Sequence, residues 1–226
     1  VFGDFANRLC EVIYERSLNI IIRGKGATMQ SGNRVLLKNG FIVDGTGKKG
    51  KNGDLLIEGG KIERISETPL QVDCEVIDCT GQVIAPGFID MHSHMDWIVP
   101  TSGRDDLKSP FTDQGITTFI AGNCGHSPFG LKEDSQFKEF IQLTGKLPFE
   151  MNWNTVSGYF DNLGEVGLNH NLATLVGHGT TRTSIRGFDP SPLSPQEMKE
   201  MLYLLEESMD QGAVGGSFGL GYEPGI

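Results

Sequence analysis

His92 and His94 are one residue apart. They close an apolar lead-in, Pro86-Gly87-Phe88-Ile89-Asp90-Met91-His92-Ser93-His94-Met95, which is followed by Asp96. On a β-strand, alternate side chains share a face, so the spacing predicts two imidazoles projecting side by side from a strand end. Two imidazoles placed this way can bind one metal ion. The bland alternative is a strand that happens to end on polar residues. Asp90 and Asp96 are expected to orient ligands or cap loops. Further along, Cys124 sits in Ala121-Gly122-Asn123-Cys124-Gly125-His126-Ser127-Pro128, and His178 lies between two glycines in Gly177-His178-Gly179-Thr180-Thr181-Arg182. A lone cysteine most often packs as a small hydrophobe. Flanking glycines let the backbone at His178 approach a ligand closely. His126, in a Gly/Pro loop, suits a substrate loop or plain surface better than a ligand role. His170 precedes a strand and belongs to the opposite end of the fold.

The histidine run resembles the first-strand metal motif of the amidohydrolase superfamily. The Gly-Asn-Cys-Gly run, the Gly-His-Gly-Thr-x-Arg run and the stretch from Gly212 to Gly225 narrow the resemblance to the D-aminoacylases (N-acyl-D-amino-acid deacylases). The four segments occur in the family's order, and the resemblance covers about residues 33 to 226. It implies a zinc site of one or two ions with His92, His94 and Cys124 as ligands, the thiolate standing where many relatives use a carboxylated lysine. It implies a small N-acyl-D-amino acid as substrate, with His178, Arg182 and Tyr222 on the substrate side. Arg182 could pair bidentately with a substrate carboxylate or serve a structural salt bridge. The implied chemistry is zinc-assisted attack of water on the amide carbonyl, a carboxylate carrying the proton to the leaving amine.

The family draws two more histidines and its catalytic aspartate from later strands. No histidine follows His178 here. The barrel segment is also far shorter than the ~250 residues of eight βα units. The expectation is therefore the N-terminal portion of a hydrolase, inactive alone, whose partner is the missing C-terminal half or a second copy of the chain. Two other readings compete. One is a hydantoinase- or dihydropyrimidinase-like cyclic amidohydrolase, which Cys124 disfavours. The other is a non-catalytic homologue acting as an interaction subunit.

The elements that must position these residues read as α/β: a small β-sandwich domain followed by the first half of a TIM-like barrel. Residues 1–28 are an unassigned N-terminal extension. They are either translated upstream sequence before Met29 or a short helix over Phe5, Leu9, Val12 and Ile13. Residues 29–83 alternate short strands with turns at Lys38-Asn39-Gly40, Glu58-Gly59-Gly60 and Thr80-Gly81. The Gly/Lys loop at residues 45–53 lacks phosphate-loop spacing and reads as a solvated turn. Residues 84–226 switch to strand, loop, helix. The predicted strands are near 84–92, 116–121, 172–176 and 213–217, with near-continuous apolar runs of the kind buried on both faces. Helices are predicted near 135–144 and 155–163. Another follows Ser194, with Pro195 and Glu197 forming a capping box and Met198, Met201, Leu202, Leu205 and Met209 an apolar stripe. In a TIM barrel the strand C-termini carry the active site, so the four motifs should converge.

Composition bounds the rest. The chain has 226 residues, 38% hydrophobic, and a net charge of -10. That charge argues against nucleic acid or an anionic membrane as partner. No apolar run approaches the ~18 residues of a membrane span. Four cysteines without framework spacing point to a reducing, cytoplasmic setting without disulfides.

Overall fold

The computed structural model describes residues 21–22, 25–26, 34–135, 137–139, 141, 147 and 149–221. The chain divides into two compact units between Phe88 and Ile89. The expected helix over Phe5–Ile13, Phe140 and Tyr222 lie outside the described residues.

In the first unit, β1 (Ile21–Ile22) pairs with β2 (Lys25–Gly26). The larger sheet contains β3 (Arg34–Ile42), β4 (Lys51–Glu58), β5 (Lys61–Ser66), β6 (Glu75–Asp78) and β7 (Val83–Ile84). Its order is β5-β4-β3-β6, with β7 also on β3. Antiparallel pairing joins β3 to β4 and β4 to β5, whereas β6 and β7 run parallel to β3. Lys38-Asn39-Gly40 is not the hairpin turn the sequence suggests. It is a bulge inside one continuous strand, with Asn39 at φ 62° and its N–H satisfied by Asp54 Oδ1 at 2.9 Å. Asparagine tolerates the left-handed region, and the Asp54 carboxylate replaces the ladder bond the bulge removes. Val35, Leu37, Ile42, Leu55, Ile57 and Cys79 form the buried core, and burial pushes the Cys79 thiol pKa up.

The second unit is a parallel sheet of β8 (Phe88–Asp90), β9 (Ile116–Ala121), β10 (Asn171–Gly177) and β11 (Gly215–Ser217), side by side in chain order. Parallel neighbours need crossovers. Here these carry α1 (Asp105–Asp113), α2 (Val156–Val166), and then α3 (His178–Arg186) with α4 (Pro195–Asp210). The sheet curls as the opening strands of a TIM-like barrel do. Strand β9 matches its sequence prediction, and β10 lies within a residue of it at each end. Strand β8 is much shorter than expected, because the chain bends away after Asp90.

Helix α2 starts where Thr155 accepts the Gly158 N–H at 3.2 Å, and it buries Val156, Tyr159 and Leu163. Tyr159 is the centre of the core. It contacts Phe129 and Trp153 edge-on or tilted, and its hydroxyl donates to the Asp96 carbonyl at 3.1 Å. The capping box of α4 is formed as predicted, with Ser194 N–H donating to Glu197 at 2.7 Å. Its apolar stripe is rotated, however. Met201, Leu204 and Ser208 face inward, while Met198, Leu202 and Met209 are exposed. A buried serine is tolerated because its hydroxyl returns to the Leu204 carbonyl at 2.7 Å.

Helix α3 has no apolar period and is not among the helices the sequence predicts. Its buried Thr180, Thr181, Thr183 and Ser184 form a polar helix. Thr181 and Ser184 bond back to the carbonyls of Gly177 and Thr181. Helix α1, with Pro110 inside it, is likewise absent from the predicted helices. His170 is buried as a structural residue at the start of β10, bonded to Thr112 and packed on Phe119. Tyr159→Phe is expected to lose about 1 kcal/mol through the missing hydrogen bond. Tyr159→Ala should lose about 3–5 kcal/mol through the cavity. Urea denaturation of the two variants checks both values.

Candidate metal centre

His92 and His94 lie in the bend after β8 rather than on the strand itself. Two short-range bonds shape that bend. Asp90 Oδ1 accepts the His92 N–H at 3.2 Å, and Ser93 Oγ accepts the Met95 N–H at 3.1 Å. Ser93 is buried and both histidines are exposed, so the alternation of a strand survives without the strand. The two rings stand 6.0 Å apart at 76°.

Cys124 reaches them from the end of β9. Its Sγ is 3.1 Å from His92 Nε2, and ligand atoms of His92, His94 and Cys124 all lie within 4.8 Å of one another. Two ligands of a tetrahedral zinc with Zn–N near 2.0 Å and Zn–S near 2.3 Å are about 3.5 Å apart. The trio brackets that spacing, and a thiolate with two imidazoles is a donor set zinc accepts. Burial, and secondarily His92, lowers the pKa of His94, which favours the neutral, ligating form. Burial and then His94 do the same for His126. Among the described residues no carboxylate joins the trio.

The turn that presents Cys124 is unusual. Cys124 has φ 59°, and its neighbours Gly122 and Gly125 both have φ 75°. A non-glycine residue in the left-handed region costs about 1–3 kcal/mol and persists only where its surroundings over-determine it. Gly125 is required by space as well as by φ. A Cβ there would meet Gly219 N at 2.9 Å and Gly179 N at 3.4 Å. Thus the turn after β9 packs on the start of α3 and the residues after β11. The turn is also tied from beneath. Gly122 N–H donates to Asp96 Oδ2 at 3.1 Å, and Asn123 Nδ2 donates to the Ile120 carbonyl at 2.8 Å.

His178 opens α3 directly after β10. Its Nδ1 is buried without a hydrogen-bond partner among the described residues, and its ring lies 5.0 Å from that of Phe218. Burial and then Arg182 lower its pKa. Arg182 is 7% exposed, and its Nη2 donates to the carbonyls of Asp189 at 2.7 Å and Ser191 at 2.9 Å. It braces the loop after α3. The ion pair in that region belongs instead to Arg186 with Glu197 at 2.5 Å, and Arg186 holds the Glu197 carboxyl down to about 2.

The chain is similar to known hydrolases. No protein-family profile matches the chain. An N-acyl-D-glutamate deacylase of Alcaligenes xylosoxydans xylosoxydans is 30% identical over 87% of the chain and 39% of its own length. A D-aminoacylase of the same organism is 32% identical over 84% of the chain and 38% of its own length. The structure of an N-acyl-D-glutamate deacylase from Bordetella bronchiseptica, complexed with zinc and a phosphonate mimic of the tetrahedral intermediate, superposes with a TM-score of 0.71. It is 31% identical, over 87% of the chain and 40% of its own. In sequence and fold the chain is similar to the N-terminal part of the D-aminoacylase amidohydrolases. It spans about two-fifths of the length of the curated relatives it matches.

Asp96, expected from the sequence to orient ligands or cap a loop, accepts the Gly122 N–H of the Cys124 turn, whereas no local signal pointed to Ser217. Asp96 is fully buried beneath Gly122, and burial raises its pKa to about 8 against the pull of nearby backbone N–H groups. The sign follows directly. Between about pH 4 and 8 the unfolded chain has released this proton and the folded chain has not, so stability falls as pH rises. In the chelator-treated protein, Asp96→Asn should flatten the stability curve in that window by up to about 1.4 kcal/mol per pH unit. Parallel curves for wild type and variant would contradict this; urea titrations at pH 4, 6 and 8 decide.

Proposed function

We propose that the chain is the N-terminal part of a zinc-dependent hydrolase that cleaves the amide of N-acyl-D-amino acids. The observation that carries this reading is the meeting of Cys124 Sγ with His92 Nε2 at 3.1 Å beside His94. His92, His94 and Cys124 are the ligands in this proposal. Zinc, when bound, supplies a Lewis acid that polarises a carbonyl and lowers the pKa of water. The residues of the chain do the rest of its share. Partial desolvation, and secondarily His92, lowers the His94 pKa, which favours the ligating form. The glycines around Cys124 let the turn pack directly on the backbone of Leu175 and Gly219, which holds the thiol in place. His178, at the start of α3 with its ring against that of Phe218, is assigned to the substrate side. Tyr222 keeps the substrate-contacting role that the family resemblance implies for it.

The brace made by Arg182 favours a positioning task for it over a substrate carboxylate contact. The proton carrier is assigned to a part of the enzyme outside these residues, in keeping with a trio that no described carboxylate joins. Exposed Ile62, Ile65, Val76 and Val83 on the first unit's sheet support reading it as one layer of a β-sandwich.

Zinc competition titration tests the centre. Wild type is expected to bind about one zinc, and Cys124→Ala to bind at least ~100-fold more weakly. Equal affinity in the two would remove the thiolate from the site. The zinc-loaded 226-residue chain alone should give negligible turnover of N-acyl-D-amino acids. Robust turnover would refute the assignment of the proton carrier elsewhere.

A further inference from the structure

One hydroxyl holds both sides of the Cys124 turn. Ser217, the last residue of β11, is 9% exposed. Its Oγ accepts the Gly125 N–H at 3.0 Å and donates to the Gly122 carbonyl. These two groups stand on either side of the cysteine and lie 92 and 95 positions from the serine in sequence. Strand β11 does not need this hydroxyl to stay in the sheet. It already pairs with β10 from Leu175↔Gly215 through Gly177↔Ser217. The hydroxyl therefore acts on the turn, where Cys124 occupies the left-handed conformation at φ 59°. Without it, a buried carbonyl and a buried N–H lose their partners together, and a strained residue loses the restraint that keeps it strained.

We infer that Ser217 is a positioning residue for the Cys124 thiol: by clamping Gly122 and Gly125 it aims Sγ at His92. The metal side of this inference rests on the zinc-site reading above; the clamp itself does not.

The test uses the full chain as wild type, Ser217→Ala, Ser217→Thr and Ser208→Ala. Ser208→Ala is the control, because it deletes a buried hydroxyl of the same unit that bonds within α4. Two readouts are taken alongside melting temperature: site-resolved alkylation of Cys124 in chelator-treated protein, and the thiolate-to-cobalt charge-transfer band on titration with cobalt(II). Ser217→Ala is expected to speed Cys124 alkylation at least about fivefold, as the loss of its two buried hydrogen bonds allows. It should weaken cobalt binding ~10-fold or more, the usual effect of removing a group that orients a ligand. Ser217→Thr keeps the hydroxyl and should stay within about twofold of wild type on both readouts. Wild-type behaviour of Ser217→Ala on both readouts overturns the inference. So does an equal rise in Cys124 alkylation in Ser208→Ala, which marks general loosening. If wild type shows no charge-transfer band while Ser217→Ala still alkylates faster, the zinc reading fails and the clamp stands.

Discussion

A cysteine held in the left-handed conformation at the C-terminal end of β9 is the constraint on which the rest of this structure depends. Left alone, that turn relaxes toward ordinary backbone, and the thiol swings away from the histidines. It is kept in place by groups from three other segments: Asp96 after β8, the N-terminal turn of α3 after β10, and Ser217 at the end of β11. Parallel strands in chain order make this possible, since they deliver all their C-termini to one edge of the sheet. The three crossovers pack their helices so that these ends stay in register. The geometry of the His92, His94 and Cys124 trio and the fold are therefore one problem, and loosening any of the strands loosens the turn.

The surroundings of the turn are polar and buried at once. Ser127, Thr180 and Asn123 lie beneath or beside it with almost no exposure. Their bonds go to backbone. Ser127 N–H donates to Thr180 Oγ1, Gly177 N–H donates to Ser127 Oγ, and Thr180 N–H donates to the Gly125 carbonyl. Buried polar groups that are fully partnered specify one arrangement, whereas an apolar filling of the same volume allows several. Asp96 departs from this pattern. A fully buried carboxyl with a pKa near 8 costs stability at neutral pH, and its placement under Gly122 ties that cost to the centre.

The unusual polarity of α3 follows from the same requirement. An amphipathic helix with a leucine face would pack well there, but it could not supply the Thr180 hydroxyl that receives the Ser127 N–H. The hydrophobic load is carried elsewhere, around Tyr159, Phe119, Phe129 and Trp153. The conventional helix α4 is anchored by its capping box and by the Arg186–Glu197 pair.

By itself the sequence determined the chemistry and the local elements. His92 and His94 have metal affinity at a telling spacing, and Cys124 joined them through the family resemblance of its Gly-Asn-Cys-Gly run. The β-branched run Ile116–Ala121 could only be a buried strand, and Ser194-Pro195-Gln196-Glu197 could only begin a helix. These features rest on periodicity and capping, which act between neighbours in the chain. Tertiary structure alone decided what depends on distant partners. Asn39 became a bulge because Asp54 was there to receive its N–H. α4 turned Leu204 and Ser208 inward, and Met198 and Met209 outward, according to what it packed against. Ser217, unremarkable as the end of a short strand, acquired its task only when folding brought its hydroxyl to a turn more than ninety residues away. No local pattern encodes such a bond, because its energy exists only after the strands have been laid side by side.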